Sequence, residues 1–174
     1  MEKVIKIDGR EVKFKASAAT IRLYRQNTGR DMLLDINKLQ ESAGSGNGLS
    51  AEALNLFEDI AYTMAKQADD SIPDSADEWL DSFEMFSIYL VLPQIIELWR
   101  LNELTTTTPK KKRKGVTDRP LTTGLILLRC TQMGLSMSDL DLLDMGMVYD
   151  MLNELENDSA EYDIVATQAD FDRF

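Results

Sequence analysis

Between Thr105 and Gly115 the chain reads TTTTPKKKRKG, four threonines and a proline followed by five consecutive cations, in a protein whose net charge is -11. Like charges in a row repel one another, and a Thr/Pro stretch buries too little apolar surface to offset the entropy of ordering it. The segment therefore reads as a solvated, flexible linker, and whatever folds must do so on either side of it. Up to Pro109 there are 11 basic and 18 acidic residues, whereas from Leu135 to Phe174 eleven Asp/Glu stand against Arg173 alone. The expected organisation is a body over residues 1-104, the basic linker over 105-119 and a small acidic helical extension over 120-174.

The basic run has other readings. PKKKRK has the look of a nuclear import signal or of a nucleic-acid arm. The overall charge of -11 opposes approach to a polyanion, and no groove-reading or base-stacking motif accompanies the run, so no nucleic-acid partner is expected. Lysine runs are also where adenine-rich codons occur, and such codons let a ribosome slip frame.

At 174 residues the chain has room for one domain of about 100 residues and a smaller one. Cys130 is its one cysteine and it has no histidine, which argues against a disulfide framework, a thiolate metal cluster, a zinc site or the usual proton shuttle. No cofactor and no metal are expected. The most apolar run, Met85 to Trp99, is interrupted by Ser87, Pro93, Gln94 and Glu97, so no membrane partner is expected and the chain reads as soluble and cytosolic.

Residues Lys3 to Lys15 alternate around Asp8-Gly9, which supplies the positive φ angles of a tight type I′ turn and predicts a β-hairpin. Ser17 is placed to cap a helix carrying Ala18, Ile21, Leu23 and Tyr24, and Gly29 to close it. A short amphipathic segment with Met32, Leu33, Ile36 and Leu39 follows, and the chain loosens at AGSGNG, residues 43 to 48. Ser50 opens a helix with Leu54, Phe57, Ala61, Met64, Ala65 and Ala68 on one face. Ser75 and Glu78 form a capping box ahead of Trp79, Phe83, Phe86 and Leu90, predicting a long helix that kinks or restarts at Pro93 and runs on through Trp99.

Beyond the linker, Thr122 precedes a helix through Leu125, Ile126, Leu128 and Met133 to Gly134. Ser136 with Asp139 gives a second capping signal before Leu140, Leu142 and Leu143, and Asp144 caps a last helix with Met147, Val148, Met151, Leu152 and Leu155. The fold class is thus mainly α, with an N-terminal β-hairpin plus helical body and a three-helix extension. About 40 ordered residues make little core of their own, so the extension is expected to be dynamic until it meets a partner.

No nucleotide-binding glycine loop, nucleophile elbow or zinc-protease motif is present. Asp139, Asp141 and Asp144 lack the glycine and terminal glutamate of an EF-hand. Cys130 sits among apolar residues with no histidine to activate it and reads as a buried structural thiol. The chain is therefore expected to be no enzyme but a protein that works by contact, its nine methionines offering adaptable apolar surface or core filling.

The segment GLSMSDLDLLDMGMVYDML, residues 134 to 152, resembles a pattern of the tail assembly chaperones of long-tailed bacteriophages: a helix ending in Gly-Leu, a Ser/Thr-capped short acidic helix, and a Gly-containing turn into a helix with Asp-Met-Leu. The terminus ATQADFDRF, residues 166 to 174, is similar to that of the frameshifted members, and the hairpin followed by TIRLYRQNTGRDML, residues 20 to 33, to their start.

The resemblance implies that the body binds and solubilises the tape measure protein and that the extension, added by ribosomal frameshifting at the lysine run, recruits tail tube protein. It further implies action in the host cell cytoplasm, absence from the mature virion, and assembly as a homo-oligomer or a hetero-oligomer with the short form. On this reading Trp79, Phe83, Phe86 and Trp99 are core or tape-measure groove, and Asp139, Leu140, Leu143, Asp144, Met147 and Met151 are candidates for tube-protein contact. The alternative is a non-viral adaptor or regulatory protein-interaction module with an acidic helical tail.

Overall fold

A computed structural model describes residues 1–44, 49–84, 86–107 and 120–157. The linker reading for 108–119, the loop at 45–48 and the terminus at 166–174 lie outside the described residues. The fold is mainly helical with an N-terminal antiparallel hairpin, as the sequence predicts.

Strand β1 (Glu2–Ile7) pairs with β2 (Arg10–Lys15), Ile7 opposite Arg10, across a turn with φ of 50° at Asp8 and 77° at Gly9. Both values are positive, as a type I′ turn requires. The pleat sends Ile5, Ile7 and Phe14 into the core and leaves Val4 outside.

Helix α1 (Thr20–Thr28) ends at Gly29, whose φ of 71° lets its N–H reach Arg25 O at 2.9 Å. Its start differs from the expected Ser17 cap, because Ala19 occupies the cap position and makes no side-chain cap bond. The Ser17 hydroxyl instead accepts from Ala19 N–H (3.2 Å) and from Gln67 Nε2 (2.7 Å). Meanwhile Ala18 N–H donates to Leu143 O (2.7 Å) and Ala19 N–H to Leu140 O (3.0 Å). The two amides just ahead of the first turn of α1 are thus bonded to carbonyls of the extension.

Helix α2 (Met32–Gly44) continues through Ala43 and Gly44, past the expected start of the loop. Helix α3 (Ala51–Ala68), capped by Ser50 accepting from Ala53 N–H at 3.1 Å, is the central element and packs against β2, α1, α2 and α4 (Ala76–Leu80). Beside α1 a polar knot runs from the core to the surface: the buried Tyr24 hydroxyl donates to Asp35 Oδ2 (2.8 Å), and the exposed Arg30 donates to Asp35 (2.9 Å), Tyr24 (2.7 Å) and Asp59 (2.5 Å).

The long helix expected from Ser75 to Trp99 does not form. Helix α4 stops at Leu80, a 3-10 turn occupies Ser87–Val91, and α5 runs Leu92–Asn102. Two hairpin residues hold the intervening chain out of helix: Asp8 Oδ2 accepts from Glu84 N–H (2.7 Å), and Arg10 donates to Ser82 O. Pro93 then falls in the first turn of α5, where a missing N–H costs nothing, so it starts a helix rather than kinking one.

Helix α6 (Thr123–Gln132) is capped by Thr122, whose hydroxyl accepts from Leu125 N–H at 3.3 Å. Gly134, at φ 85°, turns the chain into a one-turn 3-10 helix at Asp139–Asp141, and α7 (Met145–Asn157) follows. The expected middle helix of the extension is therefore only that turn.

The extension does not stand apart from the body. Ile126, Cys130, Leu140, Met145 and Val148 belong to the same buried cluster as Phe14, Tyr24, Phe57 and Trp99. Polar contacts fix the docking from three sides. Thr123 N–H donates to Asp31 Oδ2 at 2.8 Å, Asp141 accepts from Lys15 (3.0 Å) and Gln67 (2.9 Å), and the buried Asn102 Oδ1 accepts from Met145 N–H (3.3 Å). The small unit lacks core because the body supplies it.

Candidate partner-binding surfaces

The residues singled out in the sequence separate into buried and open sets. Trp79 and Trp99 are core, at 3% and 2% exposure. Trp79 is the hub of an aromatic cluster, edge-on to Phe83 at 5.1 Å and to Phe14 at 6.5 Å and tilted against Tyr62 at 5.9 Å. Phe83 is half-buried beneath the Arg10 guanidinium, which lies 4.8 Å from its ring centre. Phe86 alone of this group stands in solvent, 67% exposed.

In the extension, Leu140 was a candidate for partner contact, and its side chain is instead 1% exposed in the shared core. The carbonyls at Leu140 and Leu143 accept from the two amides just ahead of α1, which draws this stretch against the body and buries the first side chain fully and the second partly. Asp139 and Asp144 are occupied as caps. The Ser136 amide and hydroxyl both donate to Asp139 Oδ2 (2.8 and 2.7 Å), holding its carboxyl below the usual range, and Asp144 Oδ1 accepts from Met147 N–H at 2.8 Å. Reversing these charges would remove caps as well as charge.

Met147 and Met151 remain open, and the structure adds a third member. On α7, Met147, Met151 and Leu155 follow at i, i+4 and i+8, with Met147 50% and Leu155 56% exposed, and so form one continuous outward stripe. The adjoining strip carries the buried Met145 and Val148 and the half-buried Leu152. Helix α7 is therefore apolar over one broad face, docked along one edge and free along the other. Covering the exposed parts of the three outward side chains would be worth about 2–4 kcal/mol to a complex. Leu155 was readable in the sequence as the next step of the same spacing; Leu90, placed by its spacing on a long helix that does not form, lies instead on the 3-10 turn and is 80% exposed.

The segment preceding the linker is tied to the same helix. The Asp150 carboxylate accepts from the backbone N–H groups of Thr106 (2.9 Å) and Thr107 (3.0 Å) and from both hydroxyls (2.7 and 2.9 Å). These donors, led by the Thr107 amide, hold its carboxyl down at about 2. Thr106 and Thr107, expected within the flexible linker, are thereby fixed to α7.

Cys130 is fully buried, and burial pushes its thiol up, away from nucleophile chemistry. Among the described residues no group of three or more His, Cys, Asp or Glu could hold a metal ion, and no helix is long and apolar enough to cross a membrane. No protein family, curated protein or solved structure matches this chain.

Proposed function

We propose that the chain is a tail assembly chaperone of the kind found in long-tailed bacteriophages, acting in the host cytoplasm and leaving before the virion is complete. The body binds the tape measure protein and keeps it soluble, while the extension recruits tail tube protein. The reading starts from the resemblance of residues 20–33 and 134–152. The observation that carries it is that body and extension each keep an apolar surface of their own in solvent: Phe86 and Leu90 on one, and Met147, Met151 and Leu155 on the other. A contact protein with two partners needs two such faces. The lysine run at 110–114 then marks the join at which a frameshift would add the extension, and reading the codons there tests that part.

The partner assignment is tested with the full-length chain co-expressed with the tape measure and tail tube proteins of its own gene cluster. Met147→Ser combined with Met151→Ser should leave the tape measure soluble and co-purifying while tube protein is lost. Because both side chains are exposed, stability should change by less than about 0.5 kcal/mol. Asp144→Asn, which keeps an acceptor for the cap, isolates the effect of charge. Failure of the wild-type chain to hold either protein would replace this reading with that of an adaptor with an acidic helical tail.

A further inference from the structure

Asp8 and Phe86 are the two non-glycine residues with positive φ among those described. Asp8 sits where a type I′ turn favours it, but Phe86, at 72°, is a bulky side chain in a conformation that L-residues avoid. Such strain persists only where the surroundings impose it. The Asp8 carboxylate takes the Glu84 N–H, and Arg10 bonds Ser82 O while covering Phe83. The backbone at 86 is thereby turned so that the ring, 67% exposed, lies beside Tyr89 at 6.1 Å between centres. The hairpin holds out a phenyl ring that the core does not use.

Beside that ring runs an open groove of about 390 Å³, floored by Leu80, Ile88 and Tyr89 and edged by Glu58, Asp81 and Glu84. Among the described residues lining it none is Lys or Arg, the Arg10 guanidinium lying over the ring of Phe83 at its side. We propose that this shelf docks an amphipathic helix of a partner protein whose apolar stripe is flanked by Lys or Arg. The proposal rests on the tape-measure half of the function above and states what that partner must present. Phe86 provides an aromatic anchor of the kind found at the centre of protein interfaces, above an apolar floor that includes Leu80 and Ile88. The three carboxylates set the sign of the flanks. The shelf is made of helix and turn with no strand among its lining residues, so it offers side-chain packing to a helix rather than backbone pairing to an extended peptide.

The test uses the full-length protein and a fluorescein-labelled helical peptide of about 18 residues, five turns, with leucines at i, i+3, i+4 and i+7 and lysines on both flanks. Anisotropy should report binding that weakens with salt, and the same peptide with Glu for every Lys should not bind. Phe86→Gly removes the ring but suits the left-handed backbone, so the variant should melt no lower than the parent while losing more than about tenfold in affinity. Glu84→Lys, at an exposed position on the edge of the groove, should weaken binding in the same direction without loss of fold. Retained affinity in both variants, equal binding of the acidic peptide, or self-association abolished by Phe86→Gly would overturn the proposal, the last because a second copy would then be the occupant. Peptide binding that depends on Phe86, in a protein that captures no tape measure protein, would support the shelf and remove the chaperone assignment alone.

Discussion

The docking of α7 can be tested by adding one methyl group. A Cβ built on Gly146 would lie 1.8 Å from Leu104 O and 2.6 Å from Leu104 C, with Leu104 N at 3.2 Å. All three are backbone atoms, so no side chain can swing aside. The first turn of α7 would have to withdraw by more than about 1 Å to restore van der Waals separation. That movement pulls on the bond between Met145 N–H and Asn102, and on the Asp150 contacts with Thr106 and Thr107 one turn further along.

Overpacking of this kind costs about 1–3 kcal/mol, whereas Ala in place of Gly inside a helix gains about 0.8–1 kcal/mol. The sign of the effect therefore reports the structure. With α7 docked, Gly146→Ala should destabilise by up to about 2 kcal/mol; with α7 free of the body, the same change should stabilise by about 1 kcal/mol. Gly124→Ala on α6 is the matched control, because its Cβ would meet only the mobile tip of Arg25 at 4.0 Å, and it should be neutral or stabilising. Urea unfolding followed by far-ultraviolet circular dichroism gives both values from the midpoints. Amide exchange at Ala18, Ala19, Thr106 and Thr107 then shows whether the loss sits at the junction. A higher midpoint for Gly146→Ala would refute the contact with Leu104 and the docked arrangement with it.

Two further predictions address the polar ties. The Asp150 carboxyl titrates near 2 in the folded chain against about 3.9 for a free aspartate, so its contribution is complete above pH 4 and is lost as pH falls through 2; amide protection at Thr106 and Thr107 should fade across that window, and protection that does not change between pH 5 and 2 would contradict the clamp. Asp35→Ala should cost about 2–4 kcal/mol by urea midpoint, because it leaves the buried Tyr24 hydroxyl without its acceptor and removes the partner of Arg30 and of Lys38 at 3.5 Å. A cost under about 0.5 kcal/mol would show that the network contributes little.

Features set by neighbouring residues were legible in the sequence. Asp8-Gly9 specifies its turn, and Ser50, Ser75, Thr122 and Asp144 each cap the helix that follows by accepting from an amide three residues on. The break between α4 and α5 was not legible, because Trp79, Phe83, Phe86 and Leu90 keep helical spacing straight through it. The ties that win there, from Asp8 and Arg10, come from more than 70 residues away. Docking of the extension was hidden for a different reason. Part of the body surface that receives it is backbone, at Ala18, Ala19 and Leu104, and no side-chain pattern reports a backbone contact, while the linker and the change in charge both suggest separation. For the same reason Leu140 was assigned to the surface when it belongs inside.

On the proposed function, docking of the extension changes how recruitment would work. A swinging tether raises the local concentration of a recruiting module but leaves its orientation free; here Thr107 is bound to α7 and Thr123 to Asp31, so the chain is anchored on both sides of residues 108–119 and the Met147 stripe has one direction relative to the body. Recruitment through the outer face of α7 then needs no release of the inner face. Release would also be costly, since Ile126, Cys130, Leu140, Met145 and Val148 together represent roughly 10 kcal/mol of apolar burial as an upper bound. That is comparable to the whole stability of a domain. A product ending before the extension would forfeit this burial, leave the Ala18 amide without its Leu143 acceptor and leave the Ala19 amide with the Ser17 hydroxyl alone, so it must either rearrange that face or cover it by association.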